Sequence, residues 1–376
     1  GAPDRGWATM AHTPALQALP GYEVAAICTR NMASARAVAD QFDIPLAFDD
    51  PAALAAHPDI DFITVTVKAW AHHDVLTAVL PQGKPVLCEW PVGKSEAETR
   101  VLAAAAATHG VRTFTGLQSR HIPAFRYVHD LIAAGEIGRL LSINLLTTAA
   151  VWGPVVHSGD AYTTDERHGA TLLNIWGGHT LDMVWNCFGD FAEASVLSAR
   201  QRPSTRVMDT GETLRLDTPD NIMINARLAN DAVANIHLRG GPLPGTSFRV
   251  EAVGEKGMLS VEGDGIFAMV IGALRVGIAR AGDMALSPLA IPADYYCVDP
   301  ATLSPAALNV AEMYAAIGAA LDHGADGTVS FDAAARRRER LAAPAQAAAS
   351  RKPGPVPQGW AWWRGGSGRL HRTSGK

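Results

Sequence analysis

The chain has 376 residues, 48% hydrophobic and 18% charged, with a formal net charge of -5. That is enough chain for roughly two domains of about 150 residues, each burying a full core. The negative balance argues against a polyanion-binding surface, so nucleic acid is not expected as a partner, and no apolar run reaches the roughly 18 to 20 residues that span a bilayer. Four dispersed cysteines, Cys28, Cys88, Cys187 and Cys297, show no Cys-x-x-Cys spacing and read as reduced core residues of a cytoplasmic protein.

The chain opens on "GAPDRGWATMAHTPAL", without an initiator methionine or signal peptide. It reads as a dinucleotide-binding turn whose preceding strand is missing. Gly1, Gly6 and Trp7 then stand where backbone amides and a helix start would face a pyrophosphate; an ordinary surface loop is the alternative. "YEVAAICTR" (22–30) predicts a strand, "NMASARAVADQF" a helix, "DIDFITVTV" (59–67) a strand and "AHHDVLTAVLPQG" a helix. "KPVLCEW" is the next strand, "SEAETRVLAAAAATHG" a helix capped by Ser95 and stopped at Gly110, and "VRTFTGLQ" a further strand. Apolar strands joined by crossover helices imply a doubly wound parallel sheet covered on both faces, over residues 1–120.

After the helix of "SRHIPAFRYVHDLIAAGEIG", the runs "LLSINLLTTAA", "EASVLSARQ", "DNIMINARLA", "DAVANIHLRG" and "TSFRVEAVGEKGMLSVEG" come one after another with few helices. They predict a second, α+β domain with a mostly antiparallel sheet, over 121–345, and "LNVAEMYAAIGAALDHG" a late helix stopped by Gly324. The two faces of "NIMINARLA" and "VANIHLRG" differ, and one side of that sheet is expected to make a homo-oligomer contact. Residues 346–376 carry six basic and no acidic residues after Arg351, with His371 counted, and read as a disordered tail.

Candidate functional residues cluster at the strand ends. Thr29 and Arg30 close the strand that lies about 20 residues past the first turn, where an acid would select NAD; arginine there favours NADP, with NAD possible and a solvated loop charge as the alternative. Lys68 stands at the carboxyl end of another parallel strand, the edge where such sheets bind ligands, with an ordinary surface lysine as the alternative, and His72 comes after it as a structural histidine. In "VLCEWPVGKSEAE", the Glu89-Trp90-Pro91 turn aims residue 90 at the same edge. An indole there offers a stacking face and one donor, or packs in the core. "TLLNIWGGHTLDMVWNCFGD" places His179 and Asp182 three residues apart on one helix face, with Asn174 upstream; His179 suits a general base, with a helix-capping histidine as the alternative. No third ligand at a recognisable spacing joins them, so no metal is expected. The polar connection "WGPVVHSGDAYTTDERHGA" adds Trp152 and Tyr162 as substrate-side candidates, and "GLQSRH" adds Gln118.

These segments, in this order, resemble the glucose-fructose oxidoreductase, inositol dehydrogenase and MocA (Gfo/Idh/MocA) family over about residues 1–345. The resemblance implies a Rossmann-type first domain and an NAD(P)-dependent oxidoreductase acting on a sugar or polyol hydroxyl. In catalytic members a Glu-Lys-Pro lysine points at the reacting hydroxyl and an aspartate stands about four residues before the histidine. Here those places hold Trp90 and, five residues before His179, Asn174. The turn and "WATMAHTPALQALPGYE" look most like the branch containing the galactose-regulon corepressor, which implies the alternative of a non-catalytic NAD(P)- and sugar-binding sensor.

Overall fold

A computed structural model describes residues 6–242 and 246–350. Gly1 and the chain beyond Ser350, including most of the expected tail, lie outside the described residues. A π-helical turn at Ala8–His12 leads into α1 (Thr13–Ala18), whose Pro14 sits in the first turn, where a missing N–H costs nothing. Strands and helices then alternate: β1 (Ala26–Cys28), α2 (Met32–Phe42), β2 (Leu46–Phe48), α3 (Pro51–Ala56), β3 (Ile63–Val65), α4 (His72–Val79), β4 (Val86–Glu89), α5 (Glu96–Thr108) and β5 (Thr113–Gly116). Side chains of Asn31, Asp50 and Ser95 accept backbone N–H bonds at the starts of α2, α3 and α5, and Gly110 turns the chain away from the end of α5 at φ 63°. β2 and α3 are too short to show a period in sequence. All pairings are parallel, in two ladders, β1-β2 and β3-β4-β5.

The second sheet begins after α6 (Pro123–Ala133). It draws on β6 (Leu140–Ala149), then, beyond β7 (Val155–Val156) and α7 (Gly178–Phe188), on β8 (Phe191–Ala199). β9 (Ser204–Val207) and β10 (Thr213–Arg215) join β7 in a small separate sheet. β11 (Asn221–Leu228), β12 (Val233–Gly240), β13 (Thr246–Gly254), β14 (Gly257–Asp264), β15 (Arg275–Arg280), after α8 (Ala268–Ile271), and β16 (Ser287–Leu289) complete eight strands in the order β16-β15-β14-β13-β6-β12-β11-β8. Every pair is antiparallel except β12 with β6. Alternation does what the pattern requires: Ile222, Ile224, Ile236 and Leu238 face the core, while Met223, Asn225 and Asn235 face out.

Two helices close the structure, α9 (Pro305–His323) and α10 (Phe331–Ser350), and they correct the expected domain limits. α9 buries Val310, Met313, Tyr314 and Ile317 with Ala11, Ala15, Leu87 and Phe114 of the first domain. At about 1.5 to 3 kcal/mol per large apolar side chain fully buried, this contact binds α9 to the first domain although it lies inside the stretch assigned to the second. α10 packs on α5 and runs unbroken across residue 345, so no boundary falls there. Among the cysteines, Cys88 and Cys187 are core residues, but Cys28 is half-buried and Cys297 exposed, against the expectation that all four lie inside.

Candidate functional site

The carboxyl ends of β3, β4 and β5 lie side by side and face the start of α7 in the second domain. From β4 comes the turn Glu89-Trp90-Pro91, with a cis bond between the last two. Trp90 is only 4% exposed. Its indole N–H donates to the backbone carbonyl of Asn174 at 2.6 Å, and its ring lies against Gly178, where any Cβ would overlap it. This corrects the expectation of a stacking face presented to a ligand: the indole is a packed bolt between the domains, its one donor already spent.

The segment that receives it is distorted. Leu173–Gly177 is a π-helical turn leading into α7. One residue more than the family spacing separates Asn174 from His179, and a π turn absorbs one extra residue while keeping the helix on course. The Asn174 side-chain amide donates to the Gly169 carbonyl at 3.0 Å.

His179 comes out of this turn buried, with Nδ1 lacking a hydrogen-bond partner. Burial lowers its pKa, against the opposing pull of the Glu89 and Asp182 carboxylates, so the ring is neutral near pH 7. Asp182 is not free for substrate. Arg120 grips both of its oxygens, at 2.7 and 2.8 Å, and Arg337 of α10 donates to it at 2.5 Å. Burial pushes this carboxyl up, but Arg120 and then Arg337 outweigh it and hold the group below the usual carboxylate range. Trp152 is likewise withdrawn: it is buried, and its N–H donates to the Ala170 carbonyl at 3.0 Å.

His72 links two strand ends, with Nδ1 2.9 Å from the Pro91 carbonyl and Nε2 2.9 Å from that of Val67. Lys68 donates to the Gly159 carbonyl at 2.6 Å and lies 4.7 Å from the centre of the Tyr162 ring, tying the β3 turn to the 158–164 connection. Burial, then Asp160, pushes the Tyr162 hydroxyl up to about 12. Thr29 spends its hydroxyl on the Asn31 carbonyl at 2.9 Å, while Arg30 is exposed at the end of β1. The Gly6 carbonyl accepts from Met10 N–H at the start of the first helix, and the Trp7 indole N–H beside it is buried without a partner.

Several further buried polar atoms lack hydrogen-bond partners: Glu89 Oε1, Gln118 Oε1, Ser119 Oγ and His12 Nε2. Buried polar groups are ordinarily paired, and orphans gathered at strand ends mark a place for a polar ligand. Amide, hydroxyl, carboxylate and imidazole together suit the carboxamide and ribose of a nicotinamide cofactor and a hydroxyl-bearing substrate. Among the described residues, no group of three His, Cys, Asp or Glu is arranged to hold a metal.

Sequence reasoning missed Arg120, Arg337 and Trp70. Trp70, just past β3, is 47% exposed, in contrast to the buried Trp90. The "VKAW" run was the signal available for it.

Residues 5–117 match the oxidoreductase family with an NAD-binding Rossmann fold, and residues 123–263 match the C-terminal domain of Gal80p-like proteins. The dehydrogenase aclE of Aspergillus oryzae is 27% identical over 259 residues, covering 66% of this chain and 70% of that protein. The galactose/lactose metabolism regulatory protein GAL80 of Saccharomyces cerevisiae is 26% identical over 289 residues, covering 71% of this chain and 66% of that protein. Among solved structures, a super-repressor mutant of Gal80p from Saccharomyces cerevisiae superposes with a TM-score of 0.80 at 19% identity, over 92% of this chain and 94% of that one. Levoglucosan dehydrogenase in complex with NADH and levoglucosan gives 0.76 at 18% identity, over 92% and 95%. At these identities the two structures establish the fold.

Proposed function

Because this chain belongs to the Gfo/Idh/MocA oxidoreductase family, we propose that it is a nicotinamide-dependent oxidoreductase acting on a hydroxyl of a sugar or polyol, with His179 as the general base. The observation that carries this reading is the buried His179 imidazole, whose Nδ1 has no hydrogen-bond partner and which feels the Glu89 carboxylate at the end of β4. Such a ring accepts the hydroxyl proton near pH 7, and a positioned base contributes about 100- to 10,000-fold. Gly6 and Trp7 at the first helix, Thr29 and Arg30 at β1, Lys68 at β3 and Glu89 at β4 surround the place of the cofactor. The nicotinamide, when bound, supplies the hydride acceptor. Exposed Arg30 supports NADP over NAD, since its guanidinium meets a 2′-phosphate. Gln118 and Tyr162 are the remaining substrate-side candidates. We assign the protein to the cytoplasm, a placement to be checked by fractionating cells that express it, with recovery in a membrane fraction as the contrary result. Among the described residues no helix is long and apolar enough to cross a membrane.

The test is single-turnover reduction of NADP and of NAD by a panel of aldoses and polyols. The expected result is turnover favouring NADP, lost in His179→Ala while cofactor binding changes by no more than a few-fold. Robust turnover in His179→Ala rejects the assignment of the base.

One observation favours a second reading, a sugar- and NAD(P)-binding sensor. Trp90 stands where a proton-donating lysine belongs and is bonded to the backbone of Asn174, the residue in place of the second proton-handling group. Absence of turnover with every substrate, together with ligand-dependent capture of a partner protein, selects it. In either case the outer face of the large sheet, which exposes Leu197 beside Met223, is proposed as a self-association surface, and light scattering at the mass of a monomer speaks against that.

A further inference from the structure

A chain of polar side chains from four remote elements ends beside the site. Thr64 of β3 lies 3.0 Å from the Tyr314 hydroxyl of α9. That hydroxyl lies 2.8 Å from His12 Nδ1, on the π turn before α1, and His12 Nε2 lies 3.2 Å from Glu89 Oε1 at the end of β4. Side chains of His12 and Glu89 are 4% and 12% exposed, so the pair sits largely out of water. The Tyr314 hydroxyl can donate to Nδ1, which leaves Nε2 facing Glu89 Oε1 as a close contact without hydrogen-bond geometry.

Space has been cleared for this carboxylate. Gly116 of β5 lies under it, and a Cβ there would overlap Glu89 Oε1. Glu89 precedes Trp90, Gly178 precedes His179, and Trp90 rests on Gly178, so Glu89 and His179 flank one interdomain contact. The charged and titratable groups acting on His179 are Glu89 from β4 and Asp182 from its own helix. Asp182 is spent on Arg120 and Arg337, which leaves Glu89 as the carboxylate not neutralised by a guanidinium. Around Glu89 stand His12, His72 and Tyr314.

We propose that Glu89, set in place by His12 and by the space over Gly116, is the charge partner of His179, a carboxylate that acts through space across the Trp90–Gly178 contact to stabilise the protonated ring in a chain whose turn lysine is a tryptophan. The inference rests on the oxidoreductase reading for its purpose. In the step, the substrate O–H bond breaks and its proton moves to the imidazole, the Glu89 carboxylate stabilises the imidazolium, and the carbon's C–H bond breaks as C=O forms, with an oxidised nicotinamide, when bound, supplying the hydride acceptor. His12 lies beside one carboxylate oxygen and Tyr314 holds the His12 ring, so both are positioning residues.

The test does not require turnover. Histidine-selective nuclear magnetic resonance tracks the His179 ring against pH in the full chain without cofactor, its signal identified by its loss in His179→Gln. Glu89→Gln is expected to lower the His179 midpoint by about one pH unit, because an adjacent anion favours the charged ring. Glu89→Asp keeps the charge and recovers part of the shift, which separates loss of charge from damage to the fold. His12→Gln gives a smaller change of the same sign. With a turned-over substrate, Glu89→Gln also slows single turnover by about 100-fold or more and displaces its pH profile. A His179 ring that titrates at the same pH in wild type and Glu89→Gln, or stays neutral in both down to acid unfolding, overturns the proposal. A wild-type chain without turnover in which His179 still responds to Glu89 supports the charge partnership and rejects only the oxidoreductase reading.

Discussion

Trp90 and Gly178 behave as one fitted pair, and the fit decides the sign of a substitution. Gly178 has ordinary helical angles, φ -58° and ψ -51°. Helix propensity alone therefore favours alanine over glycine there by about 0.8 to 1 kcal/mol. A methyl group would overlap the Trp90 indole, and overpacking of that kind costs about 1 to 3 kcal/mol. Gly178→Ala is expected to destabilise the chain by urea denaturation, and the penalty should vanish in a Trp90→Ala background. A penalty that persists without the indole places the strain elsewhere. The sequence made Glu89, Trp90 and Pro91 legible as a turn at the ligand edge, because a strand end before a proline is a local signal. Where the indole goes was not legible, since its partners lie 84 and 88 residues away and reach it through a π turn that no periodicity reveals.

At the scale of elements, α10 joins the two halves through consecutive side chains. Arg337 and Arg340, about one turn apart, face α7 and the turn between α7 and β8: the first donates to Asp182, and the second lies 4.4 Å from the Trp185 ring and 2.7 Å from Asp190. Arg338 donates to the Lys94 carbonyl at 3.0 Å and Glu339 pairs with Arg100 at 2.8 Å, both in the first domain. In sequence "ARRRER" is only a charge run, and a charge run is usually a solvated face; its roles depend on tertiary partners. The magnitudes differ sharply along it. Asp182→Asn leaves two guanidiniums against a buried neutral group, and removing one member of a buried ion pair costs about 3 to 5 kcal/mol. The exposed Arg100–Glu339 pair, screened by water, should show little or no coupling in a double-mutant cycle. Equal effects at the two places, measured by denaturant unfolding, would show that burial is not what distinguishes them.

For the whole molecule, the packing of α1, α9 and α10 across both halves makes one unit, so acid sensitivity should appear as a single transition. His72 and His179 are buried with pKa values lowered from 6.5 by burial, and His121 is lowered to about 3 by burial and then by Arg120. An unfolded chain binds protons at these three rings below pH 6.5 while the folded one does not. Their contribution is therefore fully present above 6.5 and is lost as pH falls toward the folded values, for His121 toward about 3. Each ring that stays neutral adds a slope of about 1.4 kcal/mol per pH unit in its window. Asp182 acts in a lower window, because its depressed carboxyl gives up stability only once pH drops below the ordinary value of 3.8. Unfolding free energies from urea titrations should thus fall from pH 7 to pH 5 before the carboxylate range is reached. His121→Gln should flatten that decline by the share of one ring, with little change at pH 7.5. A wild-type profile that is level between pH 7 and pH 5 would mean that the buried rings are already charged in the folded state, and for His72, whose two nitrogens each face a carbonyl, that is the alternative such a result would select.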